Sequence, residues 1–65
     1  MNVLINQQPV ELPASASVAD AVATFGATGP FAVALNLRFV PRSQYDHTPV
    51  AEGDQIEIIT PVTGG

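Results

Sequence analysis

The stretch that decides the fold is Asn2–Gly26, NVLINQQPVELPASASVADAVATFG. Asn2 to Asn6 alternates, with Val3 and Ile5 on one face and Asn2, Leu4 and Asn6 on the other, the period of a half-buried strand. Gln7-Gln8 stands where a short hairpin turn is expected. Pro9 to Leu12 reads as a second strand, with Val10 and Leu12 inward and Glu11 outward. Proline is tolerated at the first position of a strand, and Pro13 ends it. Ser15 to Phe25 then changes period. Val18, Ala21, Val22 and Phe25 fall at i, i+3, i+4 and i+7, one face of a helix. Ser17 is its expected N-cap and Asp20 stands three residues on, a capping box with Asp in place of the usual Glu or Gln. Gly26 suits the left-handed residue that closes a helix.

Outward from there, Phe31 to Leu35 reads as a third strand, and Asn36-Leu37-Arg38 as a tight turn into a weak strand at Phe39-Val40. Pro41 to Asp46 is polar and irregular, with room for one helical turn, and Thr48 to Val50 is expected as a short edge strand. Glu52-Gly53-Asp54 is a turn signal, with Asp54 expected to hydrogen-bond its own turn. Gln55 to Thr60 alternates again, Ile56 and Ile58 inward, Glu57 and Ile59 outward. A hairpin, a helix and then further strands predict an α+β domain over residues 1–60, one sheet wrapped on one helix. Residues 61–65, PVTGG, form a flexible tail in this reading.

Composition removes whole classes of function. A chain of 65 residues has room for one thin core, since a domain of this size buries only about 60% of its unfolded surface. The net charge is −4, with Arg38 and Arg42 the only basic side chains. Nucleic-acid affinity rests on Lys and Arg neutralising phosphates, so neither nucleic acid nor an anionic membrane is an expected partner. No apolar run approaches the roughly 20 residues of a membrane span, and Met1 to Ile5 lacks the pattern of a signal peptide, so a cytoplasmic location is expected. With no cysteine and no lysine, the chain offers no thiolate nucleophile, cysteine metal site or side-chain Schiff base. His47 is the only histidine and has no neighbouring ligand set; a surface role is expected, and no metal or bound cofactor.

The chemistry is expected at Gly65. Pro61 stops a strand of high β-propensity, and the five residues 61–65 would reach roughly 15 Å beyond the fold when extended. Gly64 and Gly65 lack Cβ atoms, so they can thread a narrow channel and take backbone angles closed to other residues. That is what a substrate tail needs when an enzyme acts on its carboxylate. Adenylation by ATP turns a poor electrophile into an acyl-adenylate, which a sulfur nucleophile can attack to give a thiocarboxylate. By alternation, Leu4, Ala34, Phe39 and Ile59 lie on the sheet face opposite the helix, where exposed apolar residues mark an expected docking surface. The partner-binding set is therefore Phe39, Ile59, Pro61, Val62, Thr63 and Gly64.

The order of elements, the strand EGDQIEII (52–59), the ending PVTGG and, most specifically, VPRSQY (40–45) resemble the ubiquitin-like sulfur carriers, and among them the ThiS family of the thiamine pathway. The resemblance implies a β-grasp fold, a mixed sheet of four or five strands packed on one helix. It implies a carrier rather than an enzyme. A ThiF-type enzyme would adenylate Gly65, a cysteine-desulfurase persulfide or comparable donor would supply sulfur, and the thiocarboxylate would pass it to a ThiG-type thiazole synthase. It tilts Arg42, within VPRSQY, toward a structural or docking role. The rival readings are a carrier of the molybdopterin-synthase small-subunit type, a ubiquitin-like protein modifier and a plain binding module. At the second hairpin the chain has Asn36-Leu37 where the family commonly has Asn-Gly. Leucine disfavours positive φ, which leaves the turn type open.

Overall fold

A computed structural model describes residues 1–61 of the protein. Five strands form one mixed sheet: β1 (Asn2–Ile5), β2 (Gln8–Glu11), β3 (Ala32–Leu35), β4 (Arg38–Val40) and β5 (Gln55–Ile59), in the order β2-β1-β5-β3-β4. β1 pairs antiparallel with β2 and parallel with β5, while β3 pairs antiparallel with both β5 and β4. The helix α1 (Val18–Phe25) follows β2, and a 3₁₀ helix spans Arg42–His47. This is the β-grasp arrangement: the β1–β2 hairpin, one crossing helix, and β5 inserted between β1 and β3.

Strand alternation places the core. Val3, Ile5, Val33, Val40, Ile56 and Ile58 point to one face, where they meet Val18 and Ala21 of α1 together with Leu12, Ala16 and Val50. Ile5 and Ile56 are each 1% exposed, and burying a side chain of that size contributes about 1.5–3 kcal/mol. Ser17 caps α1 as expected: its backbone N–H donates to Asp20 Oδ2 at 2.8 Å, and Asp20 N–H donates to Ser17 Oγ at 3.4 Å. Asp substitutes for Glu in the box because its shorter carboxylate still reaches the N-cap amide. Gly26 closes the helix at φ 81, its N–H donating to the Val22 carbonyl.

Three local expectations need correction, and the turn type left open at the second hairpin is resolved. The first turn is Asn6-Gln7, not Gln7-Gln8, with φ 50 and 68. A two-residue turn of the mirror-image type I′ needs positive φ at both central positions, and Asn tolerates that better than Gln, which pulls the turn back by one residue. The second hairpin repeats the device at Asn36-Leu37, φ 51 and 70, so leucine does occupy a left-handed position. Thr48 to Val50 makes no ladder; Pro49 forms an isolated bridge with Ser17. Pro49 has no N–H to extend a ladder, and the segment instead straps the start of the helix: Val18 N–H donates to Thr48 O and Val50 N–H to Ala16 O. Phe25, expected on the buried face, is 44% exposed. It sits on the last turn of α1, beyond the sheet's centre, and lines a shallow depression with Ile5, Asn6, Gln8 and Val10 over the first hairpin.

Candidate functional site: the exit of β5 and the outer sheet face

β5 occupies the middle of the sheet. Its alternation is as the sequence predicts: Ile56 and Ile58 are buried, Glu57 and Ile59 are exposed. The strand is anchored on both sides. β3 holds it through the pairs Leu35↔Ile56, Ala34↔Glu57, Val33↔Ile58 and Ala32↔Ile59. β1 holds it through Leu4↔Gln55 and Ile5↔Ile56. Beyond Ile59 no neighbouring strand continues, and the chain leaves the sheet through Thr60 and Pro61, both exposed.

Side chains of the two turn asparagines also hold β5. At its start, Asn36 Oδ1 accepts from Gln55 N–H at 2.9 Å and Asn36 Nδ2 donates to Asp54 Oδ1 at 3.1 Å. Asp54 Oδ2 in turn accepts from Ala51 N–H at 2.7 Å, the self-capped turn expected from Glu52-Gly53-Asp54. At its end, Asn6 Oδ1 accepts from Ile58 N–H at 2.8 Å and Asn6 Nδ2 donates to Ile58 O at 3.2 Å. Neither asparagine stands out when the chain is read as a sequence. The only signal there is the shared type: asparagine as the first residue of each two-residue turn.

The outer face carries the predicted apolar residues. Phe39 is 71% exposed and Ile59 55% exposed, while Leu4 and Ala34 are half-buried. Ala34 pairs with Phe39 on one side and Glu57 on the other, and Ile59 pairs with Ala32. Phe39 and Ile59 are thus two strands and two residues apart, about 12 Å by ordinary sheet spacings. Glu57, the one charge on β5, lies level with Phe39 across Ala34 and two residues before Ile59 on the same strand. Leu37, 85% exposed at the tip of the β3–β4 hairpin, extends the apolar content toward the start of β5.

The root of the tail has an apolar collar of Pro30, Phe31, Ala32, Ile59 and Pro61. The VPRSQY segment builds part of its support. Val40 ends β4 in the core, Pro41 precedes the 3₁₀ helix, and Tyr45 stacks on Phe31 with ring centroids 6.2 Å apart and planes inclined by 15°. Arg42 lies on the rim of a groove between α1 and the 3₁₀ helix, with Tyr45 and Asp46. Arg38 and His47 are exposed. Among the described residues no group of three or more His, Asp or Glu stands close enough to hold a metal ion, and no helix is long and apolar enough to cross a membrane. Of the predicted site residues, the structure thus places Phe39, Ile59 and Pro61. Val62, Thr63, Gly64 and Gly65 lie outside the described residues.

The ThiS family model matches residues 3–65. The chain is a member of the ThiS family. Among solved structures it is similar to the thiamine biosynthesis protein ThiS from Geobacter metallireducens, with a TM-score of 0.82 and 26% sequence identity over 100% of both chains. No curated protein matches the chain. The ThiS assignment accords with the fold class, the VPRSQY segment and the mixed sheet, with its one crossing helix.

Proposed function

We propose that this ThiS-family chain is a sulfur carrier of thiamine biosynthesis, a cytoplasmic protein cosubstrate that works through the carboxylate of Gly65. The observation that carries the reading is the exit of β5: a central strand, anchored on both sides, delivers the chain into Pro61 and the Gly64-Gly65 segment beside an exposed apolar face. In this reading Phe39 and Ile59 dock on a ThiF-type enzyme, and Pro61 to Gly64 run in its channel. Side-chain-free glycines let the backbone pass closely.

The chemistry follows from what a carboxylate lacks. Gly65 carboxylate attacks the α-phosphate of ATP, bound by the partner, and releases pyrophosphate. Sulfide attacking the resulting acyl-adenylate gives the thiocarboxylate, AMP and a proton. A cysteine-desulfurase persulfide attacking instead gives an acyl disulfide, which a further thiol reduces to the thiocarboxylate. A ThiG-type thiazole synthase then receives the sulfur, and the carrier returns as the carboxylate. No cofactor resides on the carrier in this cycle.

Intact-mass measurement tests it. Incubation with a ThiF-type enzyme, MgATP and sulfide should raise the mass by the difference between one sulfur and one oxygen atom, located at Gly65. A variant lacking Gly65 should show no gain. An unchanged mass with an enzyme that loads another ThiS protein, or a gain mapped to a side chain, refutes the reading. Amide conjugates to other proteins in place of a thiocarboxylate would mark a modifier instead.

A further inference from the structure

We propose that Asn6 is a positioning residue for loading of the tail: its side-chain amide fixes the last anchored point of β5, and with it the origin from which residues 61–65 reach a partner's site. The inference rests on the sulfur-carrier reading and adds a determinant that lies outside the tail and the docking face.

The parallel β1–β5 ladder runs out just where it is needed. Leu4 N–H donates to Asp54 O and Asn6 N–H to Ile56 O, each at 2.9 Å. The next groups facing this side are the N–H and C=O of Ile58. The β1 backbone does not continue alongside them, because it reverses at Asn6 and Gln7 through φ 50 and 68. The Asn6 amide takes the place of one more peptide unit, satisfying both groups of Ile58 at 2.8 and 3.2 Å. These bonds are partly buried and join residues 52 apart in sequence. Removing the amide leaves backbone groups unpaired at the edge of the core, which favours local opening.

Without Asn6, only β3 holds the last residues of β5, through Val33↔Ile58 and Ala32↔Ile59. Opening back to Ile58 adds about 7 Å of free chain at 3.3 Å per residue. A longer tether lowers the effective concentration of its end at a fixed point and widens the range of approach geometries. Phe39, the more exposed apolar residue of the docking face, lies on β4 and is untouched; of that face only Ile59 goes with the opened strand end. The effect therefore falls on turnover after docking.

The second hairpin supplies the control. Asn36 has the same turn position and the same kind of side-chain bonds to β5, but at Gln55, the end remote from the tail. Asn6→Gly and Asn36→Gly both keep their turns, since glycine takes positive φ freely, and each removes one brace. Amide hydrogen exchange and steady-state loading by a ThiF-type enzyme with MgATP and sulfide are measured where circular dichroism shows both variants folded. For N6G we expect exchange at Ile58 and Ile59 to rise tenfold or more and kcat for thiocarboxylate formation to fall about tenfold, with KM for the carrier within twofold of the parent. For N36G we expect faster exchange at Gln55 only, and an unchanged kcat. Equal kcat for N6G and the parent, or equal losses in the two variants, overturns the positioning role. A loss confined to KM also overturns it, since it would place Asn6 in docking. A parent protein that is not loaded at all overturns the sulfur-carrier reading and this role together, a result distinct from loss of the brace alone.

Discussion

Leu37 is the residue whose replacement should make the protein more stable. It holds φ 70 in the second position of the β3–β4 turn and is 85% exposed. A left-handed backbone sets Cβ against the following carbonyl oxygen, a cost of about 1–2 kcal/mol. Glycine has no Cβ and avoids it. The Leu37 side chain makes few contacts, so truncation loses little. Glycine returns part of the gain through the freedom of the unfolded chain, about 0.5–1 kcal/mol. The net for Leu37→Gly is a stabilisation of about 0.5–1 kcal/mol, and Tm should rise by about 2–8 °C in a domain this small. Thermal melts followed by circular dichroism, with urea melts at 25 °C as a second axis, measure it. Leu37→Ala separates the causes: it removes the side chain but keeps Cβ, so its Tm should not rise. A Tm for L37G equal to or below that of the parent would refute the strain argument, and a rise shared equally by L37A would trace the gain to the exposed side chain instead.

Three further outcomes follow from the same geometry. Phe39→Ser should raise KM for loading by a ThiF-type enzyme about 10- to 100-fold, the range for a truncated aromatic anchor, with the melting curve little changed because Phe39 is 71% exposed; an unchanged KM removes the outer face from docking. Ser17→Ala should cost about 1 kcal/mol and lower Tm by about 4–8 °C, and the losses in the Ser17→Ala, Asp20→Ala double variant should be less than additive, because the two side chains form one capping box. Ile56→Ala should cost about 2–5 kcal/mol. That is a large share of the stability of a 65-residue domain, about 3–10 kcal/mol at ordinary values per residue, so urea unfolding should show a midpoint near zero or a strongly shifted one.

What was legible in the sequence was what local chemistry decides. Alternation at 55–59 placed Ile56 and Ile58 inside and Ile59 outside, because a strand with one covered face has no other register open to it. Ser17, Asp20 and Gly26 marked both ends of the helix because capping acts within a single turn. The misreadings came where a second segment took part. Phe25 has the right helical period, but that period does not show how far the sheet extends beneath the helix. Thr48 to Val50 has strand-like residues, yet its hydrogen bonds go to Ala16 and Val18, partners that no local pattern names. In the candidate site, Phe39, Ile59 and Pro61 were readable from alternation and from the proline stop. The Asn6 brace was not, since its partner Ile58 lies 52 residues away and local pattern puts the turn that aims it at Gln7-Gln8, one position late.

The strand order gives this terminal strand a mechanical consequence. β5 is the last strand of the chain among the described residues and yet the central one of the sheet. A terminal strand on an edge is held by one neighbour and frays from its free end. Here two neighbours hold β5 as far as Ile56, and β3 with the Asn6 amide holds Ile58. Force or fluctuation along the tail therefore meets a strand that must break bonds on both sides to move. The core residues Ile56 and Ile58 would also have to leave a cluster shared with Val3, Ile5, Val18 and Val33. Under the proposed function, a tail gripped by successive partners would require this resistance, and an edge placement of the same five residues would not supply it. The sheet order thus ties core stability to the proposed function: the strand that completes the core is the one that leads into Pro61.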